Sequence, residues 1–509
     1  MRWLFWIYLV NTIFMLIVAI REARRPAVAL NCLTVGLVLP IVGFAFYLIT
    51  SNPPRIRQER LTSPDNESDP LPDSFSRSAS TIAQGLRHFT VHGLRTGQAQ
   101  VLTNGNQTFV QLIESIENAQ RTIDVEYYIY RYDRIGSRIT DRLIQRAKDG
   151  VHIRFIRDGW ASRKFPREQI QRMMEAGIEC RTIFPLRFPW ILSTLNYRDH
   201  CKIVVVDGKE AFTGGINVGD EYLGLNPNIG FWRDTHVRIV GEVAVDLQTV
   251  FESHWKIASQ EQKSIRTSWN KKAEDGREPI PGPSRRAGNI PVPGDPILQG
   301  FSVEVGAEFG VTDAIDFAPS EEVLRDAYVQ TLEGNPRIST QVIREAYFIC
   351  ITRADKTVDI TTPYFVPDAD IIVAIKTAVA RGVRIRLLVP HPRHVVPGVV
   401  GPASRTYYGE LLEGGVQIYL YNKGMLHAKV MVIDGEIAEI GAANYDMRSF
   451  RLDYEVCEVI YSTDVARELT EQFEQDLIDS IPLRIKDLEK RTGPERIREQ
   501  AARLLSPLL

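Results

Sequence analysis

Cysteine is scarce in this chain of 509 residues, and its five copies follow no ligand or redox spacing. No Cys-x-x-Cys pair occurs, and the full set is Cys32, Cys180, Cys201, Cys350 and Cys457. The pattern argues against a disulfide framework and against a cysteine-based zinc site, so we predict no metal.

An excess of positive charge is also missing. The chain carries 61 Lys and Arg against 63 Asp and Glu, for a formal net charge of -2. This balance argues against nucleic acid as a partner, although a local basic cleft could lie within it. Neither a P-loop nor a dinucleotide fingerprint occurs, so no cofactor is expected.

What the sequence does contain is a duplicated pattern, His-x-Lys-x4-Asp, followed in both copies by Gly-x-x-Asn at the same offset. The pattern is filled by His200, Lys202, Asp207 and Asn217, and again by His427, Lys429, Asp434 and Asn444. One His-x-Lys alone would carry little information. Two copies with matching aspartate and asparagine are a specific signal.

Each copy predicts a β-hairpin. Alternate side chains of a strand share a face, so histidine and lysine lie side by side. β-Branched runs at 203–206 and 430–433 lead into Asp207-Gly208 and Asp434-Gly435, which predict tight turns. The two aspartates belong to the catalytic signature, but we expect them to fix the hairpins rather than to touch the substrate.

If the two halves pair across a pseudo-twofold axis, two histidines face each other between two lysines and two amides. Such an array suits a phosphodiester. Lysine and asparagine can bind the phosphate, and histidine can act as nucleophile, acid or base.

At these residues the chain resembles the phospholipase D superfamily, and its local wording resembles the bacterial cardiolipin synthases. The supporting phrases are residues 126–130, 196–200, 362–368, 424–429 and 444–450. The resemblance implies two phospholipase D-like α/β domains with mixed sheets, related by a pseudo-twofold and packed around one active site. One chain would then supply both histidines, so a monomer suffices.

The resemblance also implies roles. His200 would be the nucleophile that forms a phosphohistidine, and His427 the acid and base, although the sequence itself is symmetric. A nucleophilic imidazole needs an acceptor on its far nitrogen. We expect Glu455, which matches the family's Asn-Phe-Glu position, to orient the second imidazole, with Asp234 as its counterpart in the first half. Ala442 stands where relatives commonly have Ser or Thr, so one hydroxyl donor is missing.

Two long apolar runs open the chain, at residues 3–20 and 27–50, with charged residues 21–25 between them. Each run is near the roughly 20 residues that cross a bilayer. They predict a two-helix transmembrane hairpin, and together with the resemblance they imply a multi-pass protein of the bacterial cell membrane. A cleaved signal peptide is the alternative, but a second span would remain. Positive charges on the two sides nearly balance, so the orientation stays open.

Stretches rich in proline and polar residues, together with repeated helix–strand patterns, divide the chain. We predict a transmembrane hairpin at 1–50, a flexible linker at 51–84, domain 1 at 85–259, a Pro-rich linker at 260–300, domain 2 at 301–485 and a C-terminal tail at 486–509.

The resemblance implies cardiolipin synthesis, in which a phosphatidyl group passes between two phosphatidylglycerol molecules and glycerol leaves. A membrane-tethered phospholipase D that uses water is the first alternative, and a nuclease or an inactive membrane scaffold are others. Apolar stretches at 184–195 and 395–400 are expected either to be buried or to dip into the headgroup region beside the site.

Overall fold

The computed structural model describes residues 2–21, 33, 36, 70–185, 197–274, 323–337, 340–395, 398–504 and 506. The strands of the first half are β1 (Arg95–Thr103), β2 (Thr122–Tyr127), β3 (His152–Asp158), β4 (Glu179–Ile183), β5 (Lys202–Val206), β6 (Glu210–Gly214), β7 (Trp232–Arg233) and β8 (Thr235–Gly241). The strands of the second half are β9 (Arg325–Gly334), β10 (Thr357–Thr361), β11 (Phe365–Val366), β12 (Arg384–Pro390), β13 (Gln417–Tyr421), β14 (Met425–Leu426), β15 (Val430–Ile433), β16 (Ile437–Gly441), β17 (Tyr445–Asp446), β18 (Glu455–Tyr461) and β19 (Ser480–Pro482).

The same strand order occurs in both halves. From the centre outwards the first half runs β1-β8-β6-β5-β2-β3-β4, and the second runs β9-β18-β16-β15-β10-β12-β13, with β19 added at the edge. β1 and β9 pair antiparallel, which joins the halves into a continuous 15-stranded mixed sheet in the described part of the chain. The predicted repeat of two α/β units with mixed sheets is therefore confirmed.

The described part of the chain also forms thirteen α-helices. They are α1 (Arg2–Arg21), α2 (Arg77–Leu86), α3 (Asn104–Asn118), α4 (Arg134–Lys148), α5 (Arg167–Glu175), α6 (Ala244–Glu274), α7 (Val342–Arg353), α8 (Ala369–Ala380), α9 (Val400–Glu413), α10 (Met447–Arg451), α11 (Thr463–Ile478), α12 (Ile485–Glu489) and α13 (Gly493–Leu504). One buried apolar cluster combines Val205 and Val432 from the two halves with Leu247 of α6 and Leu469 of α11. The two wings of the sheet therefore share a core.

The predicted hairpins are confirmed. β5 pairs antiparallel with β6, and β15 pairs antiparallel with β16. Asp207 and Asp434 open the turns with positive φ angles of 54° and 55°, and the next residue in each turn is a glycine. Aspartate tolerates this left-handed conformation better than most residues, which explains Asp-Gly at both turns.

Two predicted linkers begin or end at different residues in the structure. α2 begins within the expected flexible linker at 51–84 and runs past its end, so residues 77–84 are helical and that boundary is wrong. The apolar spacing Ala79, Ile82, Ala83, Leu86 makes this helix amphipathic, and its buried face packs with residues of α7. α6 continues through Glu274, past the predicted domain end at 259.

Several predictions fall at the ends of the described ranges. Residues 486–504 of the predicted tail form most of α12 and all of α13. In the described part of the chain, no helix combines the length and apolar character needed to cross a membrane. The structure does not describe residues 186–196, residues 275–322, or residues 22–69 apart from 33 and 36. Most of the second predicted apolar run falls in the last of these ranges.

Candidate active site

The two signature histidines stand just before β5 and β15, where the first residues of the hairpins meet. Both side chains are 12% exposed. Lys202 and Lys429 are buried beside them, and each ammonium donates to the carbonyl of its own histidine, over 2.6 Å for Lys202 and 2.5 Å for Lys429. Sequence spacing therefore predicted the local pairing of histidine with lysine.

The carboxylates cross between the halves. His200 Nδ1 lies 3.0 and 2.9 Å from the two carboxylate oxygens of Glu455, and His427 Nδ1 lies 2.8 Å from Asp234 Oδ2. The prediction that Glu455 orients His427, with Asp234 serving the first half, is therefore wrong. Each histidine is held by the other half of the chain.

Short backbone exchanges produce this crossing. β7 of the first half pairs parallel with β14 of the second, and His427 N donates to Arg233 O at 2.7 Å. Reciprocally, Asp199 bridges Tyr454, and His200 N donates to Tyr454 O at 2.9 Å. The residues that follow these two acceptors are Asp234 and Glu455. Each carboxylate therefore lies against the histidine of the opposite half.

Donors missed by the sequence analysis hold the two carboxylates. Ser449 Oγ donates to Glu455 Oε1 at 2.7 Å. Trp232 Nε1 donates to Asp234 Oδ2 at 3.2 Å, and Thr235 N donates to Oδ1 at 2.9 Å. Ser449 and Trp232 both stand within six residues of their carboxylates, but their motifs gave no sign of which imidazole those carboxylates would meet.

Small residues make room at the corresponding position of each half. A Cβ added to Gly215 would lie 2.0 Å from Asp234 Oδ1, so only glycine fits while the carboxylate stays in place. Ala442 occupies the equivalent position in the second half and is fully buried. No hydroxyl stands at either position, and Ser449 instead supplies one to Glu455.

The two asparagines are buried, as the two lysines are. The side chain of Asn217 is buried, accepts from Ile129 N at 3.0 Å and donates to Tyr222 OH at 3.0 Å. Asn444 is also buried, and its backbone N–H donates to Ser449 Oγ at 3.1 Å. Both side chains therefore lie in the loops that shape the site.

The two signature aspartates lie at the far ends of β5 and β15. Asp207 Oδ1 accepts from the backbone of Arg121 at 2.7 Å and of Thr122 at 2.9 Å, and Asp434 Oδ1 accepts from Lys356 and Thr357 at the same two distances. Backbone amides of the neighbouring strand therefore occupy the carboxylates of both signature aspartates. Both fix the hairpins, as expected.

Burial keeps both imidazoles neutral. It lowers the pKa of His200 well below the ordinary value and that of His427 to about 4, and the adjacent lysines act in the same direction. Burial also lowers the pKa of Lys429 to about 7. A neutral imidazole whose Nδ1–H donates to a carboxylate has its Nε2 lone pair available for attack.

The two orienting carboxylates differ in their proton affinity. Burial raises the pKa of Glu455 to about 7. Burial would raise the pKa of Asp234 as well, but the neighbouring His427 holds it below the ordinary range. Asp234 is therefore ionised at neutral pH, whereas Glu455 titrates near it.

The fold and the duplicated histidine motifs define a phospholipase D-like protein in which one chain builds one composite site. The family model described as "Cardiolipin synthase, PLD-like domain" matches residues 112–255 and 347–477. The chain belongs to this family, which confirms the resemblance seen in the motifs.

Known proteins extend the comparison. The chain is 35% identical to a cardiolipin synthase of Geobacillus sp. (strain WCH70), over 98% of this chain and 92% of that protein. It is 39% identical to cardiolipin synthase 2 of Bacillus anthracis, over 81% of this chain and 71% of that protein. A phosphatidylserine synthase of Haemophilus influenzae Rd KW20 has a TM-score of 0.60 at 16% identity, over 84% of this chain and 100% of that chain. That structural likeness shows the fold alone.

Proposed function

We propose that the protein is a cardiolipin synthase, a phosphatidyltransferase that joins two phosphatidylglycerol molecules and releases glycerol. The observation that carries the proposal is the pair of crossed histidine–carboxylate contacts, flanked by two buried lysines, in a chain of this family. Crossing makes one site from two halves, and the site holds the groups that a double displacement at phosphorus requires.

In the first step, Nε2 of His200 attacks the phosphorus of one phosphatidylglycerol, and the bond to the glycerol oxygen breaks. His427 gives its Nε2 proton to the leaving oxygen. Glu455 accepts from Nδ1–H and stabilises the positive charge that develops on His200. Lys202 and Lys429 neutralise the phosphate oxygens.

In the second step, the terminal hydroxyl of another phosphatidylglycerol loses its proton to His427 and attacks the phosphatidyl-histidine. The phosphorus–nitrogen bond breaks, which regenerates neutral His200 and gives cardiolipin. His427 must be protonated before the first step, and its pKa of about 4 applies without substrate. An anionic phosphodiester between the lysines favours the imidazolium and raises that pKa.

The experiment is product analysis with purified full-length protein and phosphatidylglycerol labelled in the headgroup and acyl chains. Equal amounts of cardiolipin and free glycerol are expected. Phosphatidic acid as the main product would show that the protein is a phospholipase D rather than a cardiolipin synthase. His200→Asn should abolish both products, whereas His152→Asn, at an exposed histidine on β3, should leave them unchanged.

We also propose that residues 1–50 form a two-helix membrane hairpin of a multi-pass cell-membrane protein, and that the lipid substrate is its partner. The catalytic part would comprise domains at 85–259 and 301–485, with α2 added to the second because it packs there. Both histidines and both carboxylates come from one chain, which supports activity as a monomer.

A further inference from the structure

A buried cluster of ionisable side chains lies on the opposite face of the segment that carries His200. Asp199 and Cys201 alternate with His200 and therefore point away from the active site, towards Glu126 of β2 and His254 of α6. All four side chains are completely buried, and their donor atoms lie within 4.8 Å of one another. The reaction described above uses none of them.

Hydrogen bonds connect the cluster to both segments that hold His200. His254 Nδ1 lies 2.6 Å from Glu126 Oε1, and the Glu126 carboxyl contacts that of Asp199. The ring of His254 packs edge-on against Tyr454 with centroids 5.2 Å apart, and Tyr454 O accepts from His200 N. The cluster therefore touches the residue before His200 and the residue that anchors its backbone.

The carboxylate oxygens of the cluster require a proton that lies between them. Glu126 Oε2 and Asp199 Oδ2 are buried, and neither has a donor in the described part of the chain. Two ionised carboxylates in contact repel each other, and an unsatisfied buried charge is costly. One proton shared between them satisfies both oxygens and leaves a single negative charge on this pair, while Glu333 Oε1 lies 3.8 Å from the other ring nitrogen of His254.

We propose that Glu126, Asp199 and His254 are positioning residues that hold the backbone of His200 through one shared proton between the two carboxyl groups. This inference rests on the proposed role of His200 as the nucleophile. Burial and the nearby Glu126 raise the pKa of Asp199 well above its ordinary value, which places the proton there. Burial would lower the pKa of His254, but the contact with Glu126 raises it, so His254 carries the balancing charge.

A metal ion is the competing occupant, because histidine, cysteine and carboxylate are all zinc ligands. The 2.6 Å separation between His254 Nδ1 and Glu126 Oε1 is that of a direct hydrogen bond, which favours a protonated cluster over one that binds a metal ion. Ligand atoms about 2.0 Å from a tetrahedral zinc lie about 3.3 Å from each other, which is longer than this contact.

The test compares isosteric and truncating variants of the full-length protein. Asparagine mimics protonated aspartate and can donate to Glu126, so Asp199→Asn should keep kcat within about twofold of wild type. Asp199→Ala and Glu126→Ala remove one partner of the shared proton and should lower kcat about 10- to 100-fold with KM nearly unchanged. Glu458→Gln is the matched control, since Glu458 is an equally buried carboxyl that bonds Thr331 and lies outside the cluster.

Turnover is measured as glycerol release, which reports attack by His200 whether the later acceptor is a lipid or water. Failure of the synthase assignment would be seen separately, in the product analysis described above. Asp199→Asn as damaging as Asp199→Ala would show an ionised carboxylate and overturn the proposal. Wild-type kcat in Glu126→Ala, or about one metal ion per purified chain by elemental analysis, would overturn it too. If the alanine variants unfold, Asp199→Asn still decides, because a loss of about 10-fold or more in that folded variant would contradict the shared proton.

Discussion

Replacing Glu455 with glutamine removes the acceptor that orients His200 while keeping the shape of the side chain. In the native site both carboxylate oxygens lie within 3.0 Å of Nδ1, and Ser449 holds one of them. Glutamine has one acceptor and one donor. If its NH2 group faces the ring, Nδ1 must accept, the proton moves to Nε2, and the attacking lone pair is lost.

If its oxygen faces the ring instead, the negative charge that stabilises the developing imidazolium is still absent. Both outcomes slow the formation of the phosphatidyl-histidine. We expect kcat to fall about 10³- to 10⁴-fold, which corresponds to about 4 to 5.5 kcal/mol of transition-state stabilisation. Folding should be nearly unaffected, because the two side chains have the same volume.

The pH profile gives a second readout of the same contact. Burial raises the pKa of Glu455 to about 7, and His200 needs the ionised carboxylate. Wild-type activity should therefore fall as pH drops through about 7, and Glu455→Gln should lack this acid limb. Lys429, whose pKa burial also lowers to about 7, loses its charge above that pH in both proteins, so wild-type activity should peak near pH 7 and Glu455→Gln should keep only the alkaline limb.

The assay is glycerol release from phosphatidylglycerol vesicles between pH 5.5 and 8.5, with thermal unfolding measured in parallel. Glu439→Gln serves as the control, because burial raises the pKa of Glu439 to about 8 and its carboxyl bonds Tyr347. Near-normal turnover by Glu455→Gln, or an unchanged acid limb, would refute the orienting role.

Three further outcomes are expected. In His427→Asn a phosphatidyl adduct on His200 should form slowly and become trappable, because the acid for glycerol release and the base that activates the acceptor are both missing; a wild-type adduct on His427, found by mass spectrometry, would reverse the two roles. Ser449→Ala should lower kcat about tenfold by removing one donor from buried Glu455, an effect of about 1 to 3 kcal/mol, and an unchanged kcat would argue against it. Replacing Phe188, Trp190 and Ile191 of the predicted membrane-dipping stretch with serine should weaken activity on vesicles more than on short-chain soluble lipids. Equal losses on both substrates would indicate that these residues are buried in the core.

The repeat and the two hairpins could be predicted from sequence because their signals are local. Alternation within a strand fixes which residues are neighbours, and Asp-Gly fixes the turn, so His200 and Lys202 had to share a face. The partner of Glu455 could not be predicted in this way. It depends on pairing between residues more than 250 positions apart, and no periodicity within either half encodes that pairing.

α2 shows the same limit on a smaller scale. Its segment contains Ser, Thr and Gln, which resemble linker composition, and its four apolar residues become informative only when α7 is present to bury them. Ser76 caps the helix by accepting from Ala79 N at 3.2 Å, a signal that the sequence did contain. Composition therefore misplaced a boundary that the apolar spacing and the cap residue together marked.

Crossing of the carboxylates also explains why the duplicated halves act as one enzyme. Each half contains its own histidine and lysine, but the carboxylate that contacts each imidazole belongs to the other half. The exchanged backbone pairs, β7 with β14 and Asp199 with Tyr454, lie directly beside the histidines, so any separation of the halves releases both imidazoles at once. The continuous sheet through β1 and β9 opposes that separation. A repeat that carries its own histidine and lysine therefore depends on the opposite repeat for the carboxylate beside its imidazole, and on the proposed mechanism neither repeat could act alone.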